Sequence, residues 1–199
     1  MMLFDPWAMT RRTVTAPAEA AQALMGLGLS RQVLWTGLIL MAVLQSTIFG
    51  ISVLMAPPIP EGVAMAALFT SPLRFFVLAA VALALMVYGL LFIGRVMGGS
   101  AAIEDILVLV VWLQALRVAI QLVVLVLSFL VPVLATLAVM AATIIGIYVM
   151  VHFINQAHRL NSLGRAVGVL IAASLGVVIG LSVILSVIGL PLGGASGYV

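Results

Sequence analysis

The sequence predicts an all-α fold: a polytopic transmembrane bundle of five helices preceded by a short N-terminal interfacial helix. Three observations lead there. Hydrophobic residues make up 66% of the chain and charged residues 7%, against about 45–50% and about 25% in soluble domains. The apolar residues gather into five runs, each meeting the roughly 20 residues needed to cross a hydrocarbon core of about 30 Å. Leu, Ala, Met and Val dominate those runs, and no alternating segments of about ten residues mark a membrane β-barrel. The composition excludes an ordinary soluble domain, a disordered chain and a fibrous protein.

Residues 1–31 form a leader. Arg11 and Arg12 are not followed by the continuous apolar core of a secretion signal, so they read as a basic tail. Residues 16–29 predict a short helix: Pro17 suits the first turn, and Glu19 complements the positive end of the helix dipole. Leu24, Met25 and Leu27 lie near one face, which would rest in the membrane interface. The alternative is a frayed leader.

The transmembrane domain occupies residues 32–190. The first span covers 33–55, and Pro57, Pro58 and Pro60 stiffen the loop after it. The second span covers 74–97. The third, 104–130, starts with Glu104 and Asp105, where negative charge favours a helix N-terminus. The fourth, 132–154, starts with Pro132, whose missing N–H costs nothing in a first turn. A hairpin therefore joins the third and fourth spans. One continuous helix of about 50 residues would reach roughly 75 Å, too long for one crossing. The fifth span covers 167–190, and 191–199 is a Gly-rich, flexible tail.

Every basic residue is an arginine, and the net charge is +3. Arg11, Arg12, Arg31, Arg95, Arg159 and Arg165 fall on one side of alternating spans. Arg74 falls on the other, and Arg117 lies within the third span. Basic residues collect in cytoplasmic loops. The N-terminus is therefore expected inside a bacterial cytoplasmic (inner) membrane and the C-terminus outside. Small residues recur at every fourth position: Ala42, Ser46 and Gly50; Ala80 and Ala84; Ala138, Ala142 and Gly146; Gly168, Ala172, Gly176 and Gly180. Such stripes let helix backbones approach closely in lipid.

Two polar groupings stand out. Gln114, Arg117, Gln121 and Ser128 share one side of the third span at 100° per residue. Arg117 lies about 20 Å past Glu104 at 1.5 Å per residue. At mid-bilayer an arginine costs about 2.5–3.5 kcal/mol on insertion scales. It should therefore face the bundle or a wet cavity. Gln45, Ser46, Tyr88, Thr143 and Ser182 are the neutral partners at neighbouring depth, so an intramembrane polar cluster around Arg117 is expected. It either fixes helix register or binds a partner, the favoured readings, or takes an anion, a lipid headgroup or a proton-linked substrate. The second grouping is His152, Asn155, Gln156 and Arg159, one helical face at the end of the fourth span. That face is a candidate cytoplasmic docking surface for a partner or a lipid phosphate. His158 points elsewhere, so the two histidines make no metal pair.

Chemistry beyond this is sparse. The chain has no cysteine, hence no disulfide, thiolate metal site or thiol nucleophile. It has no HExxH, no GxSxG, no P-loop and no intramembrane carboxylate pair. No enzymatic activity, cofactor or metal is expected. With no basic stripe among aromatics, no nucleic-acid partner is expected either.

The segment GRVMGGSAAIEDILVLVVWLQ (94–114) joins a Gly-rich turn to an acidic helix start. The segment YVMVHFINQAHRLNSLGRAVGVL (148–170) ends the fourth span and opens the fifth. With the helical leader, these resemble the bacterial branch of the Yip1 family over most of residues 15–190. The resemblance implies five transmembrane helices, a cytoplasmic N-terminus and small loops. Eukaryotic members are associated with vesicle trafficking and bind Rab-type GTPases. Their acidic-Leu-Tyr-Gly-Pro motif is missing here, Asp5-Pro6-Trp7 being no match, so that role and its residues are not carried over. The function expected is a non-enzymatic membrane protein that organises membrane or assists a partner complex. Its partners would be the bilayer and a membrane protein or further copies of itself. The rival is a small transporter or channel with Gln114, Arg117 and Gln121 along its path.

Overall fold

The computed structural model describes residues 5–55 and 71–187, so the proline-rich loop and the Gly-rich tail lie outside the described residues. The described residues form seven helices and no strand. The leader holds α1 (Pro6–Thr15) and α2 (Pro17–Met25). The basic tail expected around Arg11 and Arg12 is therefore helical. Asp5 caps it, its Oδ1 accepting the N–H groups of Trp7 at 3.0 Å and Ala8 at 3.2 Å. Pro6 and Pro17 each open a helix, as their fixed φ and missing donor favour.

The five spans are α3 (Arg31–Met55), α4 (Pro72–Val96), α5 (Ile103–Leu130), α6 (Pro132–His158) and α7 (Leu163–Val187). All five are long and apolar enough to cross a membrane. α5 and α6 form the expected hairpin. The break falls at Val131, which leaves helical geometry (φ −147°, ψ 84°) while its N–H still reaches the Leu127 carbonyl at 2.8 Å. α6 runs four residues past its expected end at 154, because the polar stretch to His158 also stays helical.

The spans close into a ring in the order α3, α4, α7, α6, α5 and back to α3. Packing is uneven along it. Leu34, Leu38 and Ala42 of α3, Val87 and Leu90 of α4, and Ile106 to Val110 of α5 are buried together. Val149, Phe153, Ile154 and Ala157 of α6 join them, with Ala166, Val169 and Ala173 of α7. Successive spans run in opposite directions, so these segments all lie at one end, the end that carries Arg31, Arg95, Arg159 and Arg165. The leader completes that core. Ala20, Ala21 and Leu24 of α2 are buried against α5 and α6, so the apolar face of α2 is used on the bundle itself. Leu27 stays exposed.

The other half of the ring is looser. Between Val133 and Ile147 of α6 only Ala135 is buried. A cleft of about 390 Å³ opens between α3, α4 and α5, lined by Ser52, Gln121 and Ser128 and by Phe49 stacked on Phe75 at 4.1 Å.

Small residues explain part of the ring. Ala42, Ser46 and Gly50 are all buried, and a Cβ on Gly50 would stand 3.0 Å from the Pro72 ring. On α7 the expected stripe is only half used: Gly168 meets Met97 and Gly180 meets Leu85, whereas a Cβ on Gly176 would meet nothing within 4 Å. The face that packs runs through Ala166, Val169 and Ala173 instead. Each step there is three or four residues, which follows one side of a 3.6-residue helix, whereas a strict fourfold step drifts about 40° per turn. Gly146 on α6 is equally uncontacted.

Candidate functional site

At the arginine-rich end, two short turns face each other. α4 ends in a Gly-based motif: the Gly99 N–H donates to the Gly94 carbonyl at 2.8 Å and the Gly98 N–H to the Arg95 carbonyl at 3.0 Å, with Gly98 at φ +90°. This satisfies two of the carbonyls left over at a helix end. α6 ends the same way. The Leu160 N–H reaches the Asn155 carbonyl at 3.1 Å and the Arg159 N–H that of Gln156 at 3.3 Å, with Arg159 at φ 54°. An arginine in this left-handed conformation costs about 1–2 kcal/mol that glycine would not.

His158 joins the two turns. It is 1% exposed. Its ring fills the space left by the missing side chains of Gly94 and Gly99, so that a Cβ on either would overlap the imidazole. Its carbonyl accepts the Ser100 N–H at 3.1 Å. Neither ring nitrogen makes a well-aligned hydrogen bond among the described residues, although the Leu90 backbone lies against the ring. Around this joint, the Asn155 side chain accepts the Ser162 N–H at 3.0 Å, and Ser162 Oγ caps α7 at Arg165 N, 3.3 Å away. Arg95 donates to the Ala101 carbonyl at 3.1 Å, and Asp105 accepts the Ala102 N–H at 3.1 Å. The leader is pinned by Trp112 Nε1 of α5, which donates to the buried Thr13 hydroxyl at 2.9 Å. Arg31 pairs with Glu104 at 2.7 Å, tying α3 to α5. Arg31 is exposed and Glu104 partly so, so solvent screens the pair and it adds little to stability.

The four residues expected to form a docking face are therefore divided. Asn155 is consumed by the turn. His152 lies on the Tyr148 ring, centroids 4.5 Å apart, with Nδ1 2.9 Å from the Tyr148 carbonyl. Gln156 is partly buried, and only Arg159 is fully presented to the outside. The residue set aside in the sequence, His158, is the buried one. Thr13 and Trp112 were not singled out either. One signal was there to read: the glycines at 94 and 99 leave room that some large side chain must fill.

At half depth, Gln45 Nε2 of α3 donates to Gln114 Oε1 of α5 at 2.8 Å, and both side chains are screened from outside. Ser46 is buried beside them, its hydroxyl turned back to the Val43 carbonyl at 2.8 Å. The remaining expected members do not join this pair. Thr143 and Ser182 bond within their own helices, to Val139 and Val178 at 2.8 Å and 2.7 Å. Tyr88 is 53% exposed, beside Trp35. Gln121 lines the cleft, and its Oε1 is buried without a donor among the described residues.

Arg117 departs furthest from expectation. It was expected to face the bundle or a wet cavity; it is exposed and has no hydrogen-bond or ion-pair partner among the described residues. Helix geometry explains this. Val118, one residue on, is buried, and Arg117 stands about 100° round from it and about 60° from Gln114. The sector that takes in Gln114 ends before it reaches Arg117.

The Gln45–Gln114 bond invites a direct measurement. Gln45→Leu and Gln114→Leu are each expected to cost about 1 kcal/mol, and the double variant less than their sum, with a coupling between about 0.6 and 1.7 kcal/mol. Steric-trap or denaturant unfolding in mixed micelles reads it. Additive losses would show that the bond contributes nothing.

Five long apolar helices packed into a ring define a polytopic α-helical integral membrane protein. A family match sets the more particular assignment. The chain belongs to the Yip1 family: the Yip1 domain matches residues 11–186, from α1 into the last turn of α7. Neither a search of curated proteins nor one of solved structures finds a match.

Proposed function

We propose that this chain is a non-enzymatic membrane organiser or assembly partner, seated in a bacterial cytoplasmic membrane with its N-terminus inside. It acts through helix contacts and the arginine-rich face. One observation carries this reading. The leader and both short turns are locked into a single packed end, and the outward surface of that end presents Arg11, Arg12, Arg159 and Arg165. A rigid basic face at the membrane edge suits acidic partners and phosphate groups. The polar groups at half depth give no comparable support to a transport path, since Gln45–Gln114, Arg117 and Gln121 face three different surroundings.

The test is purification of the full chain from native membranes in mild detergent, with bound proteins identified. Defined companions are expected, and the double variant Arg159→Glu/Arg165→Glu should lose at least tenfold of them while keeping its helical content. A chain that purifies alone, and that supports solute flux in liposomes abolished by Arg117→Leu, would replace this reading with the transporter.

A further inference from the structure

We propose that the outer side of α5 around Arg117 docks a transmembrane helix of a different membrane protein, one that carries a carboxylate at half depth. This rests on the assembly-partner reading above and names the chemistry of one partner. Arg117 is the fifteenth residue of the 28 in α5, about 21 Å from its start at 1.5 Å per residue. It is exposed, with no partner among the described residues. Ile120 and Val123, on the adjoining surface, are 40% and 57% exposed. Together they form an apolar helix side with one fixed positive charge set in it.

Other occupants satisfy that charge poorly. Lipid phosphate lies about 15 Å from the bilayer centre, and an arginine stem spans less than half of that. A second copy has no anion to offer: the chain's carboxylates are Asp5, Glu19, Glu61, Glu104 and Asp105, in the leader, between the first two spans and in the first turn of α5. The nearest neutral acceptor on the same stripe, Gln121 Oε1, is buried away from it. The cleft that Gln121 lines does not include Arg117. Intramembrane ionisable groups pair with one another or face water. A carboxylate on a neighbouring helix is the group whose charge and depth match.

The experiment uses the full chain in lipid nanodiscs and four Leu-rich transmembrane peptides with Asp, Asn, Leu or Arg at the central position, association being read by energy transfer. The Asp peptide is expected to associate at least tenfold more tightly than the Leu peptide and measurably more tightly than the Asn peptide. Arg117→Leu should bring it down to the Leu level, whereas Arg117→Lys should keep most of the preference. Arg117→Glu should instead favour a peptide with a central Arg. Because Arg117 is exposed, these variants are expected to keep wild-type helical content and melting. Equal association of the Asp and Leu peptides, equal association of the Asp and Asn peptides, or an Asp preference that survives Arg117→Leu would overturn the proposal. Companions held by the arginine-rich face would survive Arg117→Leu, so the two readings fail separately.

Discussion

Gly94→Ala is expected to lower stability by about 3 kcal/mol, the upper part of the range for overpacking a filled site. The added methyl would overlap the imidazole of His158. That ring has little room to yield: His158 is 1% exposed and enclosed on a second side by Gly99. Its backbone is also held, by the bond from Ser100 N at 3.1 Å. The clash therefore falls on the contact between the α4–α5 turn and the end of α6, and heat or denaturant unfolding in detergent should show an early loss of that end. The cause is separable from helix propensity, since Ala is the better helix former. In a His158→Ala background, Gly94→Ala should cost less than about 1 kcal/mol, and the non-additivity would locate the effect in this one contact. A Gly94→Ala cost unchanged by His158→Ala would mean the glycine serves something else.

The sequence carried the spans but not the internal arrangement, and the reason is physical. Twenty-odd apolar residues in a row announce a crossing whatever surrounds them, so α3 to α7 were legible to within a few residues at most ends. Which side of each helix turns inward is a different matter. In lipid both sides are apolar, and the hydrophobic periodicity that orients a soluble helix is absent. The stripe of Gly168, Ala172, Gly176 and Gly180 therefore reads as continuous, although a Cβ on Gly176 would meet nothing within 4 Å among the described residues. Polar residues gave better but incomplete guidance. Gln45 and Gln114 did meet, because a buried amide needs a partner at its own depth. Arg117 was assigned to the same interior from its nearness on the helical wheel, and a difference of about 60° put it outside. His158 was hidden by a different rule: its partners are two glycines, which carry no side chain to signal a contact.

Leu24→Ala is expected to release the leader while leaving the five-span ring intact. Leu24 is 2% exposed and is the largest side chain that α2 places in the core; Ala20 and Ala21 beside it are fully buried but small. Truncating a buried Leu costs about 2–5 kcal/mol. A helix of nine residues has no stability of its own in water, because helix nucleation is too costly at that length. The loss therefore falls on docking. α1 follows α2, since α1 itself is held only by Met9 packed against the core and by the Thr13–Trp112 hydrogen bond at 2.9 Å, the latter worth about 1 kcal/mol net. Amide hydrogen exchange is the measurement: protection across residues 6–25 should fall about 30-fold or more, while Leu107, Val108 and Phe153 stay protected. Thr13→Val should give a weaker version of the same pattern, leaving the Trp112 donor short of its acceptor and lowering leader protection about tenfold. If instead all seven helices lose protection together, the leader is an inseparable part of one cooperative core. The basic face could then not be presented or withdrawn independently of the membrane domain.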